Sequence, residues 1–290
     1  MIGMCGAASA GVAVLGLVLI LGPRTADPSV GLAAQELIGE RGLAASSALD
    51  ALRAAVQPGL DAARGAGAAV VSGDEAPSPR IDAAAELIAD AERFVTPARM
   101  AVAALGVARA AWLPGAEPIP EPVAAGELAS IAAQLEAAGP ATDEFADLRQ
   151  RATGLAGVLE RALLALDRGD VEEATELTSA ARTDHDALVA WETDIPTLPV
   201  WIETTDAMIG AVEGILAATR AGDAVAASEA AAAFAALADD AATADRALRI
   251  TLSEGGAALT AGPLVRLATA ARVIEDSRTA VGSEIPEASR

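Results

Sequence analysis

The spacing of apolar residues most constrains the fold of this chain. Leucine, valine, isoleucine and alanine recur every three to four residues through nearly all of its 290 residues. This is the spacing of amphipathic helices, whereas half-buried strands would alternate apolar and polar residues. The sequence therefore predicts an all-α protein, an alanine-rich antiparallel helical bundle of roughly seven to nine helices. The clearest apolar stripe consists of Phe145, Leu148, Ala152, Leu155, Leu159, Leu163 and Leu166.

Proline and glycine residues divide this pattern into separate predicted helices. Proline lacks a backbone donor, and glycine loses more conformational entropy than other residues in a helix, so both favour interruptions. Proline is densest from Pro114 to Pro122, which is therefore the best candidate for a domain boundary. The positions expected to bend or interrupt helices are Pro58, Gly139-Pro140, Ile195–Pro199, Gly255-Gly256 and Gly262-Pro263. The predicted division is a helical segment over 28–113, a linker over 114–123, a helical bundle over 124–282 and a polar tail over 283–290.

The predicted bundle carries one internal repetition. A shift of 53 residues aligns Gly169-Asp170 with Gly222-Asp223. The same shift aligns Glu160 with Glu213, Thr175-Glu176 with Ser228-Glu229, and Asp186 with Asp239. Alanine-rich composition alone supplies the other matches. A duplicated helix–Gly-Asp–helix hairpin and a chance resemblance therefore both stay open.

The N-terminus, Met1 to Pro23, contains no charged side chain and is almost purely apolar from Ala10 to Gly22. At about 1.5 Å of rise per residue, a helix of this length can cross the roughly 30 Å hydrocarbon core of a bilayer. Residues 1–23 are therefore predicted to be a transmembrane or export helix that attaches the chain to a prokaryotic envelope membrane. A helix buried in a soluble core is the alternative.

The flanks of this segment favour an uncleaved signal anchor over a cleaved signal peptide. No lysine or arginine precedes the apolar run, and cleavage after Ala26 would place Arg24 at the unfavourable −3 position. The orientation of this helix is a separate question. By the positive-inside rule, Arg24 would place the C-terminal side in the cytoplasm, but Asp27 and Glu36 offset its charge, so it is weak evidence against the usual arrangement with the N-terminus inside. We therefore expect a single-pass protein with most of its chain outside the cytoplasm. Secretion after signal cleavage is the alternative.

The charge of the chain excludes one class of partner. It has 41 acidic and 20 basic residues and a formal net charge of −21. Such an excess of carboxylates repels phosphate backbones, so we expect no nucleic-acid binding. An excess of carboxylates is also typical of salt-adapted proteins, and whether the acidity of this chain reflects such adaptation stays open. The single cysteine, Cys5, leaves the rest of the chain without thiols for disulfides, nucleophiles or metal ligation.

The only histidine, His185, lies between Asp184 and Asp186. Successive helical residues point about 100° apart, so these three side chains cannot converge on one metal ion. Relative to Leu177, Asp184 is predicted to face the core, where a carboxylate needs a partner such as an arginine. A boundary aspartate without a function is the alternative. Because no histidine pair or acidic loop is present, we expect no metal, no cofactor and no catalytic residue.

The tryptophans provide the remaining clue. Trp191 and Trp201 flank the proline-containing break, and Trp112 precedes the proline-rich linker. Large amphipathic rings at helix ends can cap a core, line a binding groove or contact a membrane interface. Trp191 and Trp201, together with the predicted core-facing carboxylate of Asp184, are the candidate ligand-binding residues.

Together these features predict a non-enzymatic, membrane-anchored envelope protein. Its acidic extracytoplasmic bundle would act as an interaction or scaffold module, with the membrane and a protein as partners. The alternative is an extracytoplasmic ligand-binding or sensory bundle with a pocket near Trp191, Trp201 and Asp184.

Overall fold

The computed structural model describes residues 28–72, 77–113, 115–191 and 195–285. These ranges are helical apart from short turns and one proline-rich stretch without regular structure, and they contain no strand. The all-α prediction is therefore confirmed for them. The predicted membrane helix over residues 1–23 and residues 286–290 of the predicted tail lie outside the described ranges.

Seven α-helices follow one another in the described ranges. They are α1 (Pro28–Ser72), α2 (Ser78–Ala91), α3 (Val95–Trp112), α4 (Glu127–Asp167), α5 (Val171–Val189), α6 (Leu198–Ala221) and α7 (Ala224–Glu284). A 3-10 turn, Glu92–Phe94, joins α2 directly to α3, so helical backbone is continuous over 35 residues, Ser78–Trp112. The expected break at Ile195–Pro199 does separate α5 from α6.

The expected interruptions at Gly139-Pro140 and between Gly255 and Pro263 are wrong, and the helix does not restart at Pro58. Helix α1 continues through Pro58 without restarting, α4 continues through Pro140, and α7 continues through Pro263. The short helix predicted to end at Gly139-Pro140 and the loop predicted between Gly255 and Pro263 are therefore parts of longer helices. At Gly139 and at Gly255-Gly256, close packing against other helices accompanies this continuity and outweighs the local preference of proline and glycine.

Contacts around Gly139 show how α4 continues at its proline. The Thr142 hydroxyl, which is fully buried, donates to the Gly139 carbonyl at 2.7 Å. The start of α2 covers this position closely, since a Cβ on Gly139 would lie 3.3 Å from Ser78 Oγ. The Ser78 N–H in turn donates to Asp143 Oδ1 at 2.9 Å. Gly139 therefore allows close packing of two helices instead of ending one.

The glycine pair in α7 also serves close packing. A Cβ on Gly255 would lie 2.5 Å from Phe145 Cε1, and one on Gly256 would lie 2.7 Å from Val70 Cγ1. Real Cβ atoms are essentially never this close to a neighbour. These glycines therefore make room for side chains of α4 and α1, and the helix around them stays intact.

The chain divides into two compact units. The described part of unit 1 comprises residues 28–63, 83–113, 115–134 and 263–285, and that of unit 2 comprises 64–72, 77–82, 135–191 and 195–262. The predicted linker over 114–123 lies within the 83–134 stretch of unit 1. The sequence-based domain division stays a prediction.

Unit 1 combines an aliphatic core with ion pairs on its surface. An apolar stripe of α1 is buried, with Leu49, Leu52, Val56 and Leu60 each at most 4% exposed. At the surface, Arg278 Nε of α7 lies 2.6 Å from Asp50 Oδ1 of α1. The pairs Arg53–Glu275 and Arg266–Glu127 similarly connect α7 to α1 and α4.

Two hydrophobic clusters lie in the described part of unit 2. The larger one joins α4, α5, α6 and α7 through Leu148, Ala152, Leu155, Leu159, Ala181, Leu188, Ile195, Leu198, Trp201, Ile209, Ala244, Leu248 and Leu252. The smaller one consists of Ala165, Ala174, Val212 and Leu216, with Phe234 packed against it. The stripe predicted on α4 therefore lines both clusters.

The two Gly-Asp turns of unit 2 have the same backbone geometry. Gly169 and Gly222 are left-handed, with φ of 77° and 71°. The N–H of each following aspartate donates to the carbonyl five residues earlier at 2.9 Å, and each glycine N–H donates to the carbonyl three residues earlier. This is the Schellman arrangement of a helix C-terminus.

Each of these turns also starts the next helix in the same way. The carboxylate of Asp170 accepts the Glu173 N–H, and that of Asp223 accepts the Ala226 N–H, both at 3.0 Å. An aspartate side chain therefore caps the N-terminus of the next helix at both turns, through the backbone N–H of the third helical residue.

Candidate functional site

An open cleft lies where α5 is followed by α6 in unit 2. Its volume is about 510 Å³, within the range of small-molecule sites. Apolar side chains form most of its wall, and two carboxylates belong to its rim. The lining residues are His185, Val189, Trp191, Leu198, Pro199, Ile202, Glu203 and Asp206.

His185 is the most buried polar residue of this cleft, with 4% of its surface exposed. Its Nε2 lies 3.1 Å from the Ile202 carbonyl, and its Nδ1 lies 3.5 Å from Asp186 Oδ1. Because a carbonyl only accepts hydrogen bonds, Nε2 must carry the proton in the Ile202 contact. The imidazole therefore joins α5 to the first turns of α6.

Trp191 forms the edge of the cleft that follows α5. Its ring is partly buried against the larger hydrophobic cluster. The indole Nε1–H donates to Glu144 Oε1 at 3.2 Å, and the Arg151 guanidinium carbon lies 5.3 Å from the ring centroid. These contacts with α4 hold the ring in place through a hydrogen bond and a cation–π interaction.

Arg182 neutralises part of the acidic rim. It contacts Asp206, and its Nη2 lies 3.0 Å from Glu213 Oε2. Hydrogen bonding to Glu213 is the largest cause of a pKa raised above the usual value of arginine, and Asp206 acts in the same direction. Arg182 therefore stays charged and connects α5 to two positions on α6.

The structure separates the three predicted ligand-binding residues. Trp191 lines the cleft, whereas Trp201 is only 3% exposed and belongs to the larger hydrophobic cluster. Asp184 is exposed and is not among the lining residues. The prediction that Asp184 faces the core is wrong, because His185 occupies that position. Ligand binding by these residues stays a prediction.

The error about Asp184 has a geometric cause. The buried residues of α5 are Ala174, Thr178, Ala181, His185 and Leu188, with alternating spacings of four and three residues. Leu177, which served as the reference for the sequence interpretation, is only partly buried against the smaller cluster. Choosing it shifts the apparent apolar face by one residue, or about 100°.

Two lining residues, Glu203 and Asp206, were missed by the sequence interpretation. They lie on the first turns of α6 with Pro199 and Ile202, at spacings of three and four residues that put all four on one helix face. This spacing was the available signal. Chemically, the cleft offers an apolar wall with an aromatic edge and carboxylates at its rim, which suits a cationic, partly apolar group.

Other kinds of site have limited support in the described ranges. No group of three or more histidine, cysteine, aspartate or glutamate side chains that could hold a metal ion occurs there. Two helical stretches, Ser78–Trp112 and Ala224–Glu284, are long and apolar enough to cross a membrane. Core helices of soluble proteins meet the same criterion.

Comparisons with protein-family models, with curated proteins and with solved structures found no match to this chain.

Proposed function

We propose that this chain is a non-enzymatic, membrane-anchored envelope protein whose acidic helical bundle binds a protein partner. Residues 1–23 would be the single membrane anchor, and the rest of the chain would lie outside the cytoplasm. The single observation that best supports an interaction module is the exposure of the first turns of α7. The argument for partner binding therefore rests on this helix.

The N-terminal third of α7 consists mostly of alanine and is uncovered. No residue from 224 to 243 is buried, although alanine dominates this stretch. Phe234 and Leu237 are partly buried, as are Ala226, Ala227, Ala230 and Ala241, whereas the other residues of this stretch are exposed. The exposed alanines of this stretch include Ala231, Ala232, Ala235, Ala236, Ala238 and Ala242, and these six are defined here as the alanine surface.

An exposed alanine surface suits packing against another helix. Small side chains permit close approach of two helices, and burial of apolar area supplies about 25 cal/mol per Å². The only charged residues between 224 and 243 are Glu229, Asp239 and Asp240, all acidic. A partner helix with small apolar residues and flanking basic residues would match both properties.

The twin Gly-Asp turns support the proposed duplication of a helical hairpin. In the first copy, the helix after the turn is α5, which has five buried residues. In the second copy, the corresponding stretch is the exposed start of α7. If both hairpins derive from one ancestor, they differ in their covering, because other helices pack over α5, whereas the corresponding stretch of α7 has no buried residue. A partner helix would supply that covering.

Anchoring and topology can be tested by cell fractionation with protease access. The full chain and a variant lacking Met1–Arg24 are compared. We expect the full chain to stay with membranes and to be cleaved by protease added outside intact cells, and the shortened chain to be soluble. Protection of the full chain in intact cells would contradict the proposed orientation.

Partner binding can be tested with a photo-crosslinking residue at Ala235 of the membrane-anchored chain. We expect one discrete adduct, which the additional substitution Ala242→Glu removes. A crosslinker at Ala180, exposed on α5, combined with Ala187→Glu provides a control of identical spacing. Equal adducts at both positions, or no adduct at Ala235, would contradict binding through the alanine surface.

A ligand-binding or sensory bundle is the second candidate function. The cleft at His185 and Trp191 favours it, because it combines a suitable volume with an aromatic edge. Binding of a cationic amphipathic compound there should change the fluorescence of Trp191. The Trp191→Phe variant, in which Trp112 and Trp201 remain, should lose this change.

A further inference from the structure

A second cleft lies within unit 1 and has a different chemistry. It is a groove of about 390 Å³ between one face of α3 and the proline-rich segment before α4. From α3 it is lined by Arg99, Val102, Ala103, Gly106, Arg109 and Ala110, whose spacings of one and three residues place them on one helix face. This face is about 15 Å long, given 1.5 Å of rise per residue.

The middle of this groove is apolar and open. A Cβ on Gly106 would meet no atom within 4 Å, so the helix backbone itself forms part of the floor. Val102 lies on the same face, and Pro118 and Ile119 lie on the opposite wall. An apolar chain could therefore lie along Gly106 without displacing a side chain.

A guanidinium stands at the outer end of the groove. Arg99 donates from Nε to Glu121 Oε1 at 2.9 Å, and its Nη2 contacts the same oxygen. The Glu121 side chain is 66% exposed and that of Arg99 is 35% exposed. Such an exposed ion pair contributes little to stability. A carboxylate from a ligand could therefore replace Glu121 at a small cost.

A second guanidinium closes the inner end. The Arg109 side chain is 10% exposed, and its Nη2 lies 2.9 Å from Glu284 Oε1. Its Nη1 donates to the Glu117 carbonyl at 2.9 Å. Its buried Nε has no acceptor in the described part of the chain. Arg109 therefore fixes the inner wall, whereas Arg99 is the guanidinium that solvent and ligands can reach.

We propose that this groove binds an amphipathic monocarboxylate, such as a medium-chain fatty acid. The ligand carboxylate takes the place of Glu121 on Arg99, where a guanidinium can donate two parallel hydrogen bonds to it. The apolar chain lies over Gly106 between Val102 and Ile119. A chain of about ten carbon atoms matches a groove of this length and volume. Glu121 thus acts as an internal competitor for the ligand.

The test follows the carboxyl ¹³C resonance of decanoate labelled at C1, below its micelle concentration, with the full chain held in amphipol. Amphipol without protein corrects for unspecific partitioning. We expect saturable binding of one decanoate per chain. Arg99→Gln should weaken it by about tenfold, the effect of one charge-assisted contact, and Glu121→Gln should strengthen it severalfold.

Gly106→Leu separates binding from folding. The leucine fills the open groove and replaces a helix-interior glycine, so binding should be lost while the thermal midpoint stays equal or rises. Gly154→Leu, at an equally open glycine of α4 outside the groove, should bind decanoate as the unmodified chain does. The proposal is overturned if Gly106→Leu binds normally, if Glu121→Gln binds more weakly, or if neither the unmodified chain nor Glu121→Gln shows saturable binding.

Discussion

Gly255 of α7 and Phe145 of α4 are packed so closely that a Cβ on the glycine would lie 2.5 Å from the ring carbon Cε1. The ring is partly buried against the larger hydrophobic cluster of unit 2. Its displacement would therefore disturb neighbours that are themselves closely packed.

We expect Gly255→Ala to destabilise the protein. Forcing an extra methyl group into this contact costs about 1–3 kcal/mol, of which the better helix propensity of alanine offsets up to about 1 kcal/mol. The free energy of unfolding, measured by denaturant titration of the full chain, should fall by about 1–2 kcal/mol. Phe145→Leu in the same chain should recover part of this loss.

Gly154→Ala is the control for Gly255→Ala. It replaces an exposed glycine of α4 around which a Cβ would meet no atom within 4 Å. We expect it to raise the free energy of unfolding by about 0.5–1 kcal/mol, because alanine has less conformational entropy to lose. A loss of stability equal to that of Gly255→Ala would show that the ring contact is not the cause.

These glycines also explain which parts of the fold could be predicted. The stripe of Leu49, Leu52 and Val56 is visible locally, because each residue contributes to the same face of one helix. The role of Gly255 is not visible locally, because Phe145 lies more than a hundred residues away in the sequence. A glycine that ends a helix and a glycine that admits a distant side chain look alike until the partner is known.

The candidate site was predictable to a similar extent. Trp191 was identified because it precedes a proline-containing break, and helix ends of this kind place large rings at the edge of a core. Trp201 follows the same break, yet it is buried in the larger cluster. The sequence carries no signal that distinguishes the two, because their exposure depends on which helices pack over them.

The twin turns predict matched effects at equivalent positions. Gly169→Ala and Gly222→Ala each place a side chain at a left-handed φ, which costs about 1–2 kcal/mol. Asn at either position should cost less, since it tolerates this conformation better. At both turns, the thermal midpoint measured by differential scanning calorimetry should therefore be highest with glycine, lower with asparagine and lowest with alanine. A different order at the two turns would argue against their equivalence.

His185 and Asp184 should differ sharply in their contributions to stability. His185→Ala removes a buried ring and its contact with the Ile202 carbonyl, so we expect a loss of about 2–3 kcal/mol. Asp184→Ala alters an exposed side chain, so we expect a change within about 0.5 kcal/mol. Chemical denaturation of both variants checks this. A larger loss of stability with Asp184→Ala than with His185→Ala would instead support the prediction that Asp184 faces the core.

We expect Arg182 to stabilise the folded protein by an amount that does not change with pH in the neutral range. Its pKa is raised, first by the hydrogen bond to Glu213, so the folded state holds the proton more tightly than the unfolded state does. The resulting stability is fully present below the unfolded pKa and is lost only as pH rises through the higher, folded pKa. After allowance for solvent screening, the contribution is about 1 kcal/mol.

Arg182→Gln should therefore lower the free energy of unfolding by a constant amount between about pH 6 and 9, where arginine remains protonated. The loss should shrink at high salt, because the pairs with Asp206 and Glu213 are partly exposed. Arg161→Gln is a suitable control, since within the described ranges Arg161 on α4 donates only a long hydrogen bond of 3.4 Å to the Gly157 carbonyl. If both variants lose equal stability, or if the loss at Arg182 varies across this pH range, the α5–α6 ion pairs do not contribute as we infer.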